Sequence, residues 1–241
     1  LKKEYWFVII TYIAMQLSSI VGIPIFMLIG ASSGMNADEL EQKSAAYWIV
    51  FSFFVALALI LFLMRKDMKE KMDTSNQASV RTSILWAIAG VFLALTAQAV
   101  AGIIEQSLGV QRESENTQQL IAIIYKVPMV IFVTSVIAPI LEEIIFRKII
   151  FGSLHKRFNF FISAVLSSVI FGLAHGELEH LLLYTAMGLT FAYLYAKTGR
   201  ILVSMSAHIA MNTLVIIIQV VNREQIEKML DTAQAFIGGL L

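Results

Sequence analysis

Two adjacent acids, Glu142 and Glu143, stand in an otherwise apolar run that begins Ala138-Pro-Ile-Leu, and Arg147 follows four residues after the second. On a helix that spacing lets Glu143 pair with Arg147, while Glu142 points about 100° away and stays available. Neighbouring carboxylates in a low-dielectric site repel unless a cation compensates, and Arg147 is the evident compensator. A carboxylate held in this way suits general-base chemistry. Two further segments carry polar groups of catalytic type: His175 with Phe171 four residues before it, and His208 with Asn212 four residues after it. Each feature has a structural alternative. Glu143 and Arg147 could be intramembrane glue, His175 an interfacial residue beside the loop 176–180, and His208 with Asn212 a hydrogen-bonding pair between helices. Two acids, an arginine, two histidines and an amide on three apolar segments would be a costly way to hold helices together, so the combination points to catalysis.

The elements that must position these groups follow from composition. The chain has 241 residues, 58% hydrophobic and 15% charged, with a mean hydropathy of +0.77. Soluble domains run at roughly 45–50% apolar and about 25% charged, so this is the composition of a membrane protein. A net charge of +1 gives no global basicity for nucleic-acid binding, and the absence of cysteine excludes disulfides, cysteine-ligated metals and a thiol nucleophile. About 20 apolar residues cross a hydrocarbon core. Seven stretches qualify: Tyr5–Gly30, Ala46–Met64, Ile84–Ile104, Ile121–Leu154, Phe160–His175, Leu181–Ala196 and Ile201–Val221. Their runs are continuous rather than alternating, which excludes a β-barrel. The first is too long for a cleavable signal peptide and lacks a small-residue cleavage site followed by a soluble domain. The expectation is an all-α, polytopic membrane bundle of seven to eight transmembrane helices, folded as one domain over residues 1–241. Ser33–Ser44, Arg65–Ser83 and Glu105–Gln119 are expected as loops in water. In the tail 222–241, Ile226, Met229, Leu230 and Ala233 recur at helical spacing and predict an interfacial or short eighth helix.

Orientation follows the excess of Lys and Arg on cytoplasmic segments. With the N-terminus inside, Lys2, Lys3, Arg65, Lys66, Lys69, Lys71, Arg81, Arg147, Lys148, Lys156, Arg157, Lys197 and Arg200 lie inside, 13 residues, against 5 outside (Lys43, Lys126, Arg112, Arg223 and Lys228). Lys126 is expected to snorkel to the interface. The mixed-sign run Arg65–Lys71 is placed to touch anionic headgroups. His155 is expected in water beside Lys156 and Arg157, and His180 in a short outer loop with Glu177 and Glu179. Phe51, Phe53 and Phe54 are read as lipid-facing or packing residues.

Taken in order, Glu142-Glu143-x-x-x-Arg147, Phe171-x-x-x-His175 and His208-x-x-x-Asn212 resemble the motifs of the CPBP family of intramembrane proteases, also called the CAAX-protease or Abi family. The resemblance covers about residues 120–221, the expected protease core, and no motif is found in the first three spans. It implies peptide-bond hydrolysis within the membrane, with Glu142 activating water, His175 and His208 positioning the water or a metal, and Asn212 stabilising the oxyanion. Glu143, Arg147 and Phe171 would support the site. The family is usually labelled metalloprotease, and His175, His208 and Glu142 could supply three zinc ligands. Glu142 cannot readily be both ligand and base, so the cofactor is none or zinc, with a slight preference for metal-free chemistry. The partners implied are membrane lipids and a membrane-bound or hydrophobic peptide, and nucleic acid is not among them. The analogy extends to prenylated peptides in eukaryotes and to peptide-pheromone or bacteriocin processing in bacteria. The style of the chain resembles Gram-positive members, which places it in the plasma membrane. Two other classes remain open on the sequence: a non-catalytic scaffold or chaperone of the same family, and a proton-coupled transporter.

Overall fold

The computed structural model describes residues 2–69, 77–110 and 114–238, including side chains except at 68, 69, 115 and 221–238. Among these residues the chain is helical, with no strand. Helices α1 (Lys3–Leu17) and α2 (Ser19–Ser32) are bent by 47° at Ser18. They are followed by α3 (Ala37–Lys69) and α4 (Val80–Ser107). The amphipathic α5 (Glu115–Lys126) precedes α6 (Met129–Leu154), then α7 (Phe160–Ala174), α8 (Leu181–Thr198) and α9 (Ile201–Gly238).

The helical membrane bundle is as expected, and the expected number of spans is not confirmed. Four helices are long and apolar enough to cross a membrane (α3, α4, α6 and α9 over Ile201–Val220), and the bent α1–α2 pair makes a fifth. Seven to eight is not reached by that measure, for local reasons. The 15 residues of α7 extend only about 22 Å. Tyr184, Thr185, Thr190, Tyr193 and Tyr195 dilute α8. The expected stretch Ile121–Leu154 is broken at Val127 (φ −140°, ψ 90°), because the ring of Pro128 disfavours helical backbone in the residue before it. The tail continues α9 as backbone to Gly238 rather than forming a separate helix. The expected apolar face of Ile226, Met229, Leu230 and Ala233 lies outside the described side chains, as do Arg112, Arg223, Lys228, Lys69 and Lys71.

A second correction concerns Glu105, expected in water. It lies in the last turn of α4, 4% exposed, and one carboxylate oxygen meets His180 Nδ1 at 2.9 Å. The other accepts the Leu183 N–H at 2.9 Å. The acid thus satisfies an amide that the first turn of α8 would leave without a partner, and His180 is buried rather than an exposed loop residue.

Helix α6 is the axis of the apolar core. Leu141, Ile145, Phe146 and Ile149 pack with Val8 and Tyr12 of α1, Ile60 of α3 and Phe171 of α7. At one end of the bundle Asp67 gathers Lys2, which caps α1, and Tyr5 of α1, each at 2.9 Å, and Lys148 of α6 at 2.5 Å. Lys126 is paired with Glu39 at 3.0 Å rather than merely snorkelling. Outward-facing Leu28, Phe92 and Leu202 are 73%, 67% and 65% exposed, as a lipid-facing surface requires.

Small residues let α7 and α8 approach closely. A Cβ built on Gly188 would lie 2.8 Å from Ser168 Cβ and 3.0 Å from its Cα, a backbone atom that cannot swing away. This is the small-residue packing by which helices associate in lipid. Gly188→Ala is expected to lower the melting temperature in detergent, with overpacking costing about 1–3 kcal/mol. Gly102→Ala, whose new methyl would meet nothing closer than 3.9 Å, should leave it unchanged or slightly raised.

Candidate active site

The sequence places an unusual backbone under the acids. Within α6, Val133–Ile137 and Glu143–Phe151 are wound as π-helix around a short α-helical stretch, Ala138–Glu142. The Ala138 N–H reaches back five residues to the Val133 carbonyl. The next donor in that register would serve the Thr134 carbonyl, but residue 139 is proline and has no N–H. Asn212 of α9 approaches that carbonyl instead, with Nδ2 3.5 Å from it. Likewise, Ser167 of α7 donates to the Phe146 carbonyl at 2.7 Å. π-Helical segments are rare and concentrate at functional sites, where they redirect side chains.

Glu143 is fully buried, and its Oε1 lies 3.4 Å from Arg147 Nε. The expected i, i+4 pair is therefore present. The guanidinium, itself fully buried, lies over the rings of Phe171 and Phe191, 4.8 and 5.7 Å from their centroids. Aromatic faces thus supply much of its environment.

Between the two acids stands His208. Its Nδ1 is 3.2 Å from Glu143 Oε1, and its Nε2 is 3.6 Å from Glu142 Oε2. The imidazole is stacked on Phe191 at 4.3 Å and meets Phe171 edge-on at 6.0 Å. A carboxylate only accepts, so Nδ1 carries a proton toward Glu143. Nε2 then shares a proton with Glu142 or presents its lone pair toward the space between them. Glu142 is the more accessible acid, its side chain 14% exposed against 0% for Glu143.

His175 ends α7 and is held differently. Its Nδ1 donates to the Phe171 carbonyl at 2.8 Å, which in the neutral ring leaves Nε2 as the acceptor. The imidazole is stacked on Tyr184 at 3.9 Å, with 21° between the rings. Tyr184 donates to Glu177 at 2.8 Å, and Glu177 also accepts from the Ser114 hydroxyl and the Asn116 N–H. Asn116 Nδ2 in turn donates to the His175 carbonyl at 3.0 Å. Burial pushes the Glu177 carboxyl upward, but hydrogen bonds from Asn116, Tyr184 and Ser114 outweigh it and hold the group below its ordinary value.

Glu142, Glu143, Arg147, His208 and Phe171 are thus brought together. His175 is joined to them through Phe171, whose ring centroid is 4.6 Å from its own, rather than by a hydrogen bond to Glu142 or His208. Asn212 reaches a backbone carbonyl of the same helix, α6. Four residues were not anticipated. Tyr12 of α1 and Tyr184 lie within electrostatic reach of Glu142, Phe191 carries His208, and Glu177 orients Tyr184. Only the position of Phe191 and Tyr184 on an apolar helix between two motif helices could have suggested them, and nothing local marks Tyr12. Among the described residues no three His, Asp or Glu are arranged to hold a metal ion. Of the expected set, His208 lies beside Glu142, whereas His175 is held by the Phe171 carbonyl and ring.

Residues 124–214 match the family described as type II CAAX prenyl endopeptidase Rce1-like. The chain is 48% identical over 242 residues, covering 100% of it and 99% of its relative, to YdiL of Bacillus subtilis (strain 168), whose name describes a membrane peptidase. The chain belongs to the CAAX protease family of membrane peptidases. It is also 34% identical over 203 residues to the membrane-embedded CAAX protease MroQ of Staphylococcus aureus (strain USA300), covering 80% of this chain and 82% of that one. No solved structure matches. Family membership identifies an enzyme of intramembrane proteolysis, and it agrees with the helical membrane architecture.

Two outcomes are expected from this geometry. Arg147→Leu strands the fully buried Glu143 carboxylate and should cost about 3–5 kcal/mol, the penalty of removing one partner of a buried pair. A melting curve of the purified variant checks this, and Glu143→Gln in the same chain should recover part of the loss. Tyr184→Leu should move the His175 ring-proton resonances downfield by removing the stacked ring, and should lower peptidase turnover about ten- to hundredfold through misplacement of the imidazole.

Proposed function

We propose that this chain hydrolyses peptide bonds of a membrane-associated or hydrophobic peptide, with Glu142 as the base that activates water. The observation that carries the reading is His208 standing between the acids, Nδ1 3.2 Å from Glu143 and Nε2 3.6 Å from Glu142. Arg147 balances Glu143, Glu143 orients His208, and His208 faces the one acid left accessible. That division gives two adjacent carboxylates different roles.

In the proposed reaction Glu142 takes a proton from water as its oxygen attacks the scissile carbonyl carbon. The new C–O bond places negative charge on the carbonyl oxygen, and the Nδ2 donor of Asn212 stabilises it. Collapse of the tetrahedral intermediate breaks the C–N bond, and Glu142 returns the proton to the leaving amine. His175, with its proton held on Nδ1 by the Phe171 carbonyl, offers Nε2 to orient the water. The tetrahedral step consumes no cofactor. Glu142 lies on a helix packed on several sides by apolar neighbours. A lipid-anchored or otherwise hydrophobic peptide fits such surroundings. We place the chain in the cell membrane with its N-terminus in the cytoplasm, on the distribution of its cations.

Glu142→Gln keeps the shape of the side chain and removes its basicity. It is expected to lower cleavage of a membrane peptide in proteoliposomes by at least about 10²–10⁴-fold, the usual contribution of a general base, with insertion and melting temperature unchanged. Cleavage at the parental rate would overturn the reading. Failure of the parental chain itself to cleave would instead favour a non-catalytic membrane scaffold.

A further inference from the structure

Away from the site, a cavity of about 470 Å³ opens between the first turns of α1 and the turn joining α6 to α7. Three aromatic residues, Tyr5, Trp6 and Phe158, and three cations, Lys2, Lys156 and Arg157, line it, and no carboxylate does. The cations differ in their commitments. Lys2 Nζ is held by Asp67 at 2.9 Å, whereas no carboxylate among the described residues pairs with Lys156 or Arg157. Trp6 and Phe158 are 54% and 47% exposed, and Trp and Tyr, here Trp6 and Tyr5, are the aromatic residues that settle at the membrane–water interface. The cavity is therefore cationic at the level of the headgroups and aromatic beside it.

We propose that this cavity binds the headgroup of an anionic phospholipid. Its phosphate would meet Lys156 and Arg157, and the glycerol and first acyl carbons would lie along Tyr5, Trp6 and Phe158. Basic pockets between helix ends on the cytoplasmic side of a membrane favour such lipids. A free phosphate would satisfy the cations but leave the three aromatic faces uncovered, so the lipid is the occupant of choice. Because the cavity joins α1 to the end of α6, a bound lipid would brace the helix that carries Glu142 against the helix that carries Tyr12. The assignment does not depend on the peptidase reading.

The sequence has three tryptophans, Trp6, Trp48 and Trp86, so Trp48→Phe and Trp86→Phe leave Trp6 as the sole reporter in the cavity wall. The full chain is reconstituted in vesicles of phosphatidylglycerol and phosphatidylcholine in which one or the other lipid carries brominated acyl chains, and quenching of Trp6 gives their relative binding. About a tenfold preference for phosphatidylglycerol is expected, falling to near parity in Lys156→Gln/Arg157→Gln. Arg65→Gln/Lys66→Gln, which removes two cations that do not line the cavity, should retain it. Equal quenching by the two lipids, a preference that survives loss of Lys156 and Arg157, or one abolished equally by loss of Arg65 and Lys66 would overturn the proposal. Abolition of the preference by millimolar inorganic phosphate would identify a free-anion site and equally overturn it. If the tryptophan variant does not fold, thermal stabilisation of the otherwise unaltered chain in detergent by short-chain phosphatidylglycerol over phosphatidylcholine decides the question. That stabilisation should disappear in Lys156→Gln/Arg157→Gln, and its persistence there would overturn the assignment.

Discussion

A fully buried carboxylate and a fully buried guanidinium on the same helix, Glu143 and Arg147, set the terms for the rest of the bundle. Neither group can be hydrated in the apolar interior, and desolvating two charges costs several kcal/mol each after relaxation. Their mutual attraction at 3.4 Å is one return on that cost. The aromatic faces of Phe171 and Phe191 and the imidazole of His208 supply the others. α7, α8 and α9 each contribute one of these partners, so the pair needs three neighbouring helices at fixed distances. The close α7–α8 approach at Gly188 and Ser168 keeps two of them there.

The backbone of α6 makes the same kind of demand. A π-helical turn leaves carbonyls poorly served, and Pro139, two residues after the first such turn, removes a donor outright. In water those carbonyls would be hydrated, but in lipid they must find protein donors. Ser167 and Asn212 provide them for the Phe146 and Thr134 carbonyls. Asn212 thereby acquires a position before it has any part in chemistry. Its amide is directed at the helix that bears Glu142, and four residues earlier on α9 His208 faces the same helix.

How much of this was legible follows from which forces act locally. The Glu143–Arg147 pair and the availability of Glu142 depend on spacing within one helix, and both could be read from the sequence. The grouping of His208 with the acids needed three motifs in order, and it was recovered by resemblance rather than by depth along the helices. The count of spans is not confirmed where apolar length and helix length part. Pro128 cuts one stretch at Val127, and α7 is apolar throughout but only 15 residues long. Glu105 was misread because a charge at a helix end looks like a loop residue until a partner from another element, His180, arrives to bury it. Tyr12 was invisible for the same reason, since its relation to Glu142 exists only once α1 packs on α6.

The separation of the two histidines follows from where their helices end. His208 lies within α9 and is fixed by packing on Phe191 and by Glu143, so the bundle itself determines its place. His175 caps α7, where no further turn constrains it and the chain leaves through Gly176 at φ 75°. A residue there would sample several rotamers unless tethered from outside its own helix. The tether is polar and drawn from three directions: the Phe171 carbonyl below the ring, Tyr184 against its face, and Asn116 on its backbone oxygen. Glu177 joins the last two by accepting from both Tyr184 and Asn116. A loop acid is therefore as necessary to the placement of this imidazole as the intramembrane acids are to the other. The site is assembled from a packed half and a tethered half, and only the packed half lies where its sequence motif alone would put it.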